Sequence, residues 1–159
     1  MLCCISVQSQ TPELIYYNFS KGTTVDNLAT SPVGTNPVTV PGGLSVCCNG
    51  FKGSNALSGN GAGSSGNVVN TGWNTLIRGS FTVAFYISAV DSLSTTPYYL
   101  FGDAGANGFA CSIDGKKGML TLHGPFGGAV VDGLDDGQPH MIHLVYDSIL
   151  NQLDKFVDG

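Results

Sequence analysis

From Ser80 to Ser88 the chain alternates, with Phe81, Val83, Phe85 and Ile87 at odd positions and Thr82, Ala84 and Tyr86 between them. A period of two places the first set on one face of a strand and the second on the other. This is the longest alternating apolar run, and it predicts a strand whose Phe81, Val83, Phe85 and Ile87 face a core. Shorter runs of the same kind predict strands at Leu14–Phe19, Leu44–Cys48, Tyr98–Gly102, Ala129–Asp132, Met141–Tyr146 and Lys155–Val157, with a further short one opening at Val68-Val69. Phe109–Ile113 and Met119–His123 bracket Asp114-Gly115-Lys116-Lys117-Gly118, an Asp-Gly turn between apolar runs and so a hairpin signal. Asn27–Gly43 and Gly53–Gly66 are rich in Gly, Asn, Ser or Pro and read as connections. Helical periodicity is nearly absent. About ten short strands without a helix imply an all-β, two-sheet antiparallel sandwich.

The same alternation decides how to read Asp136-Gly137-Gln138-Pro139-His140-Met141-Ile142-His143-Leu144-Val145-Tyr146-Asp147. Two histidines three apart, with carboxylates on both flanks, suggest a metal or acid–base site. Asp-Gly opens a turn, and Ile, Val and Tyr favour a strand over a helix. On a strand, positions three apart point to opposite faces. His140 and His143 are therefore expected to share no metal.

Composition narrows the function classes. Charged residues make up 11% of the 159-residue chain, against about 25% in ordinary soluble domains. Small neutral polar side chains take their place, which suits a secreted all-β protein. The formal net charge is −5 and no Lys/Arg run occurs, so nothing is arranged to neutralise phosphates. Neither nucleic acid nor membrane insertion is expected, since no apolar stretch reaches transmembrane length.

The length predicts one domain. Residues 1–10 contain Met1-Leu2-Cys3-Cys4-Ile5-Ser6-Val7 and then Val7-Gln8-Ser9, which resembles the tail of a secretory signal. The alternative is a disordered terminus. The 5 cysteines comprise the vicinal pairs Cys3-Cys4 and Cys47-Cys48, plus Cys111. No C-x-x-C is present to suggest a zinc knuckle. Small buried thiols in strands are the favoured reading; a disulfide from Cys111 to Cys47 or Cys48 is the other.

Several segments, in order, resemble the laminin-G-like jelly roll of the concanavalin A-like lectin/glucanase superfamily. Leu14-Ile15-Tyr16-Tyr17-Asn18-Phe19 is similar to its opening Y-x-F strand, and Phe51-Lys52-Gly53-Ser54-Asn55-Ala56-Leu57 to its G-x-x-G-x-A-L segment. Gly79–Ile87 is similar to its SFTISAWV strand. The turn at Asp136-Gly137-Gln138, the strand ending Val145-Tyr146-Asp147 and the return ending Val157-Asp158-Gly159 resemble its late hairpin. Pro139 and Tyr86 stand where the family has Trp, and Asn18-Phe19-Ser20 lacks the Asp that in some relatives serves a calcium site. The resemblance implies a jelly roll over residues 11–159 with its last strands missing. The opening strand would then be left as an edge, and further domains would follow in the same secreted chain.

Candidate chemistry is sparse. Gly61-Ala62-Gly63-Ser64-Ser65-Gly66 spells G-x-G-x-x-G, but no helix pattern follows, so it reads as a flexible loop. Asp132, Asp135 and Asp136 are weak calcium (Ca2+) candidates, because calcium favours clustered oxygens; Asp-Gly turn chemistry accounts for them without a metal. The glycosidases of the superfamily need a close carboxylate pair, and Glu13, the only glutamate, precedes the first strand. A hydrolase is disfavoured on that ground. Trp73 beside Asn74, and Tyr98 with Tyr99, Asp103 and Asn107 near a loop end, are the candidates for stacking and hydrogen-bonding a sugar ring. Trp73 capping a core is the plain alternative. The expected function is a non-catalytic extracellular recognition module for a glycan or a protein surface, the alternative a structural spacer with no ligand of its own.

Overall fold

The computed structural model describes residues 13–19, 22–47, 50, 55–59, 67–73, 79–88, 97–102, 109–114, 118–124 and 127–159. Among them there is no helix. Eleven strands form antiparallel sheets: β1 (Thr24–Val25), β2 (Val38–Thr39), β3 (Leu44–Cys47), β4 (Ala56–Gly59), β5 (Phe81–Ile87), β6 (Tyr98–Gly102), β7 (Ala110–Asp114), β8 (Met119–Gly124), β9 (Gly127–Val131), β10 (His140–Asp147) and β11 (Gln152–Val157). The chain divides into two compact units, Met1–Trp73 and Asn74–Gly159.

In the first unit the ladders are short. β1 pairs with β2 and β3 with β4. Val25, Val38 and Val40 are buried, with Tyr17, Phe19, Leu44, Val46, Leu57 and Val69 packed around them. The expected strand at Leu14–Phe19 forms no ladder. Its alternation is real, since Ile15, Tyr17 and Phe19 are half-buried while Leu14, Tyr16 and Asn18 are exposed. Its backbone is served by the returning chain instead: Leu28 N–H donates to the Tyr16 carbonyl (2.9 Å), Ser31 N–H to Glu13 (2.9 Å) and Val33 N–H to Leu14 (3.1 Å).

Asn27, only 4% exposed, organises that arrangement. Its Oδ1 accepts from the N–H of Tyr16 (2.8 Å) and of Ala29 (3.2 Å). Its Nδ2 donates to the carbonyls of Leu14 (2.9 Å) and Val33 (3.3 Å). A buried amide thus satisfies backbone groups that no neighbouring strand reaches, as buried polar groups require. β2 lies within the stretch read as a connection and β1 just before it, where no strand was expected, and β4 lies in the stretch read as a loop. Val68-Val69 is not a strand, although Val69 packs on the cluster.

The second unit holds a three-stranded sheet in the order β11-β10-β5 and a four-stranded meander β6-β7-β8-β9. Their inner faces share one cluster. Cys111, Ile113, Leu120, Leu122 and Val131 come from the meander, Ile142 and Leu144 from β10, and Phe109 and Leu134 from flanking chain. Val83, Phe85 and Ile87 pack against it. The alternation read at Ser80–Ser88 holds: the four apolar side chains are half-buried and Thr82, Ala84 and Tyr86 exposed. Burial is partial because, among the described residues, β5 is an edge strand. Its aromatics meet the meander, with Phe85 edge-on to Phe101 at 5.2 Å and Phe81 stacked on Phe109 at 5.6 Å. At the other margin Lys155 Nζ on β11 donates to the Val130 carbonyl on β9. Two antiparallel sheets around one core are the arrangement of a β-sandwich.

Candidate functional site

Among the described residues of the second unit, a connected polar group stands around His140, the first of the two histidines. Asp136 begins the turn by accepting the Gln138 N–H on Oδ1 (2.8 Å), and Gly137 takes φ +78°, open to glycine without strain. β10 then alternates as the sequence requires. His140, Ile142 and Leu144 are buried on the inner face, and Met141, His143 and Val145 lie on the outer one. His140 sits opposite Ile87, while His143 lies between Ala84 and Phe156. The histidines therefore belong to different faces.

His140 is 9% exposed, and both its ring nitrogens are engaged. Nε2 lies 2.9 Å from Asp136 Oδ1, and Nδ1 lies 2.9 Å from Asp158 Oδ2. Asp158, just past β11 at φ +59°, accepts the Met141 N–H on Oδ1 (2.9 Å) and returns its own N–H to the Met141 carbonyl (2.9 Å). The hydrogen bonds to Asp158 and then Asp136 hold the imidazole pKa above its ordinary 6.5. The Gln138 amide and His140 lower the Asp136 pKa from the usual 3.8; His140 and the Met141 amide do the same for Asp158. When protonated, the imidazole can donate to both carboxylates at once. A general base needs one ring nitrogen oriented by a carboxylate and the other turned to a reactant. Here neither is free, so the arrangement ties chain segments together.

The other sequence candidates are dispersed. Asp132 and Asp135 are exposed; Asp135 sits against Gly118, where a Cβ would overlap its carboxylate and backbone nitrogen. Asp136 faces His140 instead of joining them. Among the described residues no group of three or more His, Cys, Asp or Glu side chains is placed to hold a metal ion. Trp73 is half-buried in the first unit, its N–H directed at Thr71 Oγ1 (3.4 Å), after Gly72 at φ +62°. Tyr98 packs on the core of the second unit. Asn74, Asp103 and Asn107 lie outside the described residues, as do residues 1–10, the Gly61–Gly66 loop and Cys48. Cys47 and Cys111 are free thiols, and burial pushes the Cys111 pKa up to about 12.

The sequence reading named Tyr99 near a loop end but not the outer face of the meander on which it stands. Register aligns Tyr99, Ser112, Thr121 and Val130 across β6, β7, β8 and β9, on the side away from the core. Tyr99 is 78% exposed. His123 lies on the same face one row away, paired with Ala110 and Gly128. The alternation of Cys111, Ile113, Leu120 and Leu122 was the available signal, since it turns Ser112 and Thr121 outward. Comparison with protein-family models, with curated proteins and with solved structures finds no match.

Proposed function

We propose that the chain is a non-catalytic extracellular recognition module of the laminin-G-like jelly-roll type, working within a larger secreted protein and taking glycans as ligands. The observation that carries this reading is the outer row of the meander. Tyr99 offers an apolar ring face with a polar tip, and Ser112 and Thr121 offer hydroxyls beside it on a rigid sheet. A pyranose presents the complementary pattern, an apolar C–H face edged by hydroxyls, and such amphipathic aromatics suit a binding surface. The sparsely charged composition and the segments similar to the lectin superfamily support the same class, although a fold alone does not dictate a ligand.

The test is a glycan array probed with the chain and with Tyr99→Ala and Trp73→Ala. The proposal expects a saturable glycan response lost in Tyr99→Ala while the melting temperature holds, as suits an exposed side chain. Loss only in Trp73→Ala would move the site to the first unit. A folded chain that binds no glycan would leave the spacer reading in its place.

A further inference from the structure

We infer that His140 is a proton-dependent latch that fastens the loop entering β10 to the end of β11. The argument is one of counting donors. An imidazolium carries two N–H groups and can satisfy Asp136 and Asp158 together. A neutral imidazole carries one and turns a lone pair toward the other carboxylate. Deprotonation therefore releases one arm, whichever tautomer forms.

The structure also selects the arm. Asp158 is held independently of the imidazole, through Met141 N–H on Oδ1 and its own N–H to the Met141 carbonyl. Among the described residues, Asp136 has, besides His140, bonds only from within its own turn, from the Gln138 N–H and from its own amide, and these move with the turn. Residues 136–139, beyond the anchor that buried Leu134 makes through its N–H to the Gly118 carbonyl, should loosen while the β10–β11 pairing persists. Among the described residues, the groups around the ring leave these two carboxylates to control it. Across β5 stands the apolar Ile87, and the inner face of β11 brings Val157 beside Ile142. Lys155 lies farther along, opposite Leu144, and is engaged with Val130. Among the described residues, Asp136 and Asp158 are the charges that act on the imidazole. With its pKa raised, the latch is closed in mildly acidic solution and opens as pH rises through that value.

Amide exchange of the full chain, expressed as protection factors to remove intrinsic base catalysis, tests the latch alongside an NMR titration of the His140 ring. Protection at Gln138 should fall about three- to fivefold across the titration, the scale of a part-exposed ion pair, while Met141 stays protected. His140→Gln should abolish the pH dependence. If that variant does not fold, Asp136→Asn serves: the Asn oxygen can still accept Gln138 N–H, and the His140 titration should move down toward 6.5. Unchanged Gln138 protection through the titration, or opening at Met141 first, would overturn the latch.

Discussion

The two units bury their backbone in different ways. In the second, seven strands satisfy one another and the side chains are left to fill the space between two sheets. In the first, ladders of two and four residues leave much of the described chain outside a sheet, and loop backbone bonds with the Asn27 and Asn36 side chains complete the bonding. The first solution spreads stability over many apolar contacts. The second concentrates it in a few polar atoms with strict geometry, where an unmade bond costs more than a made one contributes.

Substitutions can break this comparison. Leu122→Ala, at a fully buried position of the sandwich, should cost about 2–5 kcal/mol through lost burial and the cavity left behind. Denaturant unfolding checks it, and a loss below 1 kcal/mol on the same scale would mean that the core is loosely packed. Asn27→Ala should cost about 1–3 kcal/mol by stranding the groups that the amide serves. Its mark is local: faster amide exchange at Tyr16 and Ala29 with the β5–β10 ladder unaffected. Asn27→Asp sharpens the point, because it keeps both acceptor bonds and loses the donors to Leu14 and Val33.

Effects of pH should be smaller. The His140 pKa is raised, so its stabilisation is complete below the unfolded value of 6.5 and is lost as pH rises through the folded value. The Asp136 and Asp158 pKa values are lowered, so their contribution is complete above 3.8 and is lost as pH falls through the folded values. The melting temperature should therefore be highest between these limits, and His140→Gln should flatten its alkaline side. The smallest expected perturbation is chemical. Native Cys111, fully buried with its pKa pushed up to about 12, should resist alkylation by a neutral-pH thiol reagent while Cys47 reacts. Peptide mapping by mass spectrometry separates the two.

The same contrast governs what could be read from sequence. The strand at Tyr98–Gly102 has the bounds its pattern predicts, and β5, β7, β8, β10 and β11 lie where alternation and turn signals place them. Period-two patterning works where a strand has one face on a core. It fails for β1 and β2, two residues each, and for Leu14–Phe19, whose partner is an irregular segment organised by Asn27. The carboxylates of the latch divide similarly. Asp136 stands four residues before His140 and was visible as a flank, whereas Asp158 is 18 residues away and reaches the ring only through the register of the β10–β11 hairpin. The outer row of Tyr99, Ser112 and Thr121 needs the register of two further strand pairs.

The two margins of the sandwich are unlike. Along β9 and β11 the sheets are stitched by a charged side chain on a carbonyl, as a book is by its spine. Along β5 and β6 they meet as aromatic rings, Phe85 against Phe101, as leaves meet at the fore-edge. Apolar association weakens on cooling far more than such a polar stitch does. Cold should therefore open the sandwich from the fore-edge, with loss of the ring-to-ring NOEs between Phe85 and Phe101 preceding any change at Lys155.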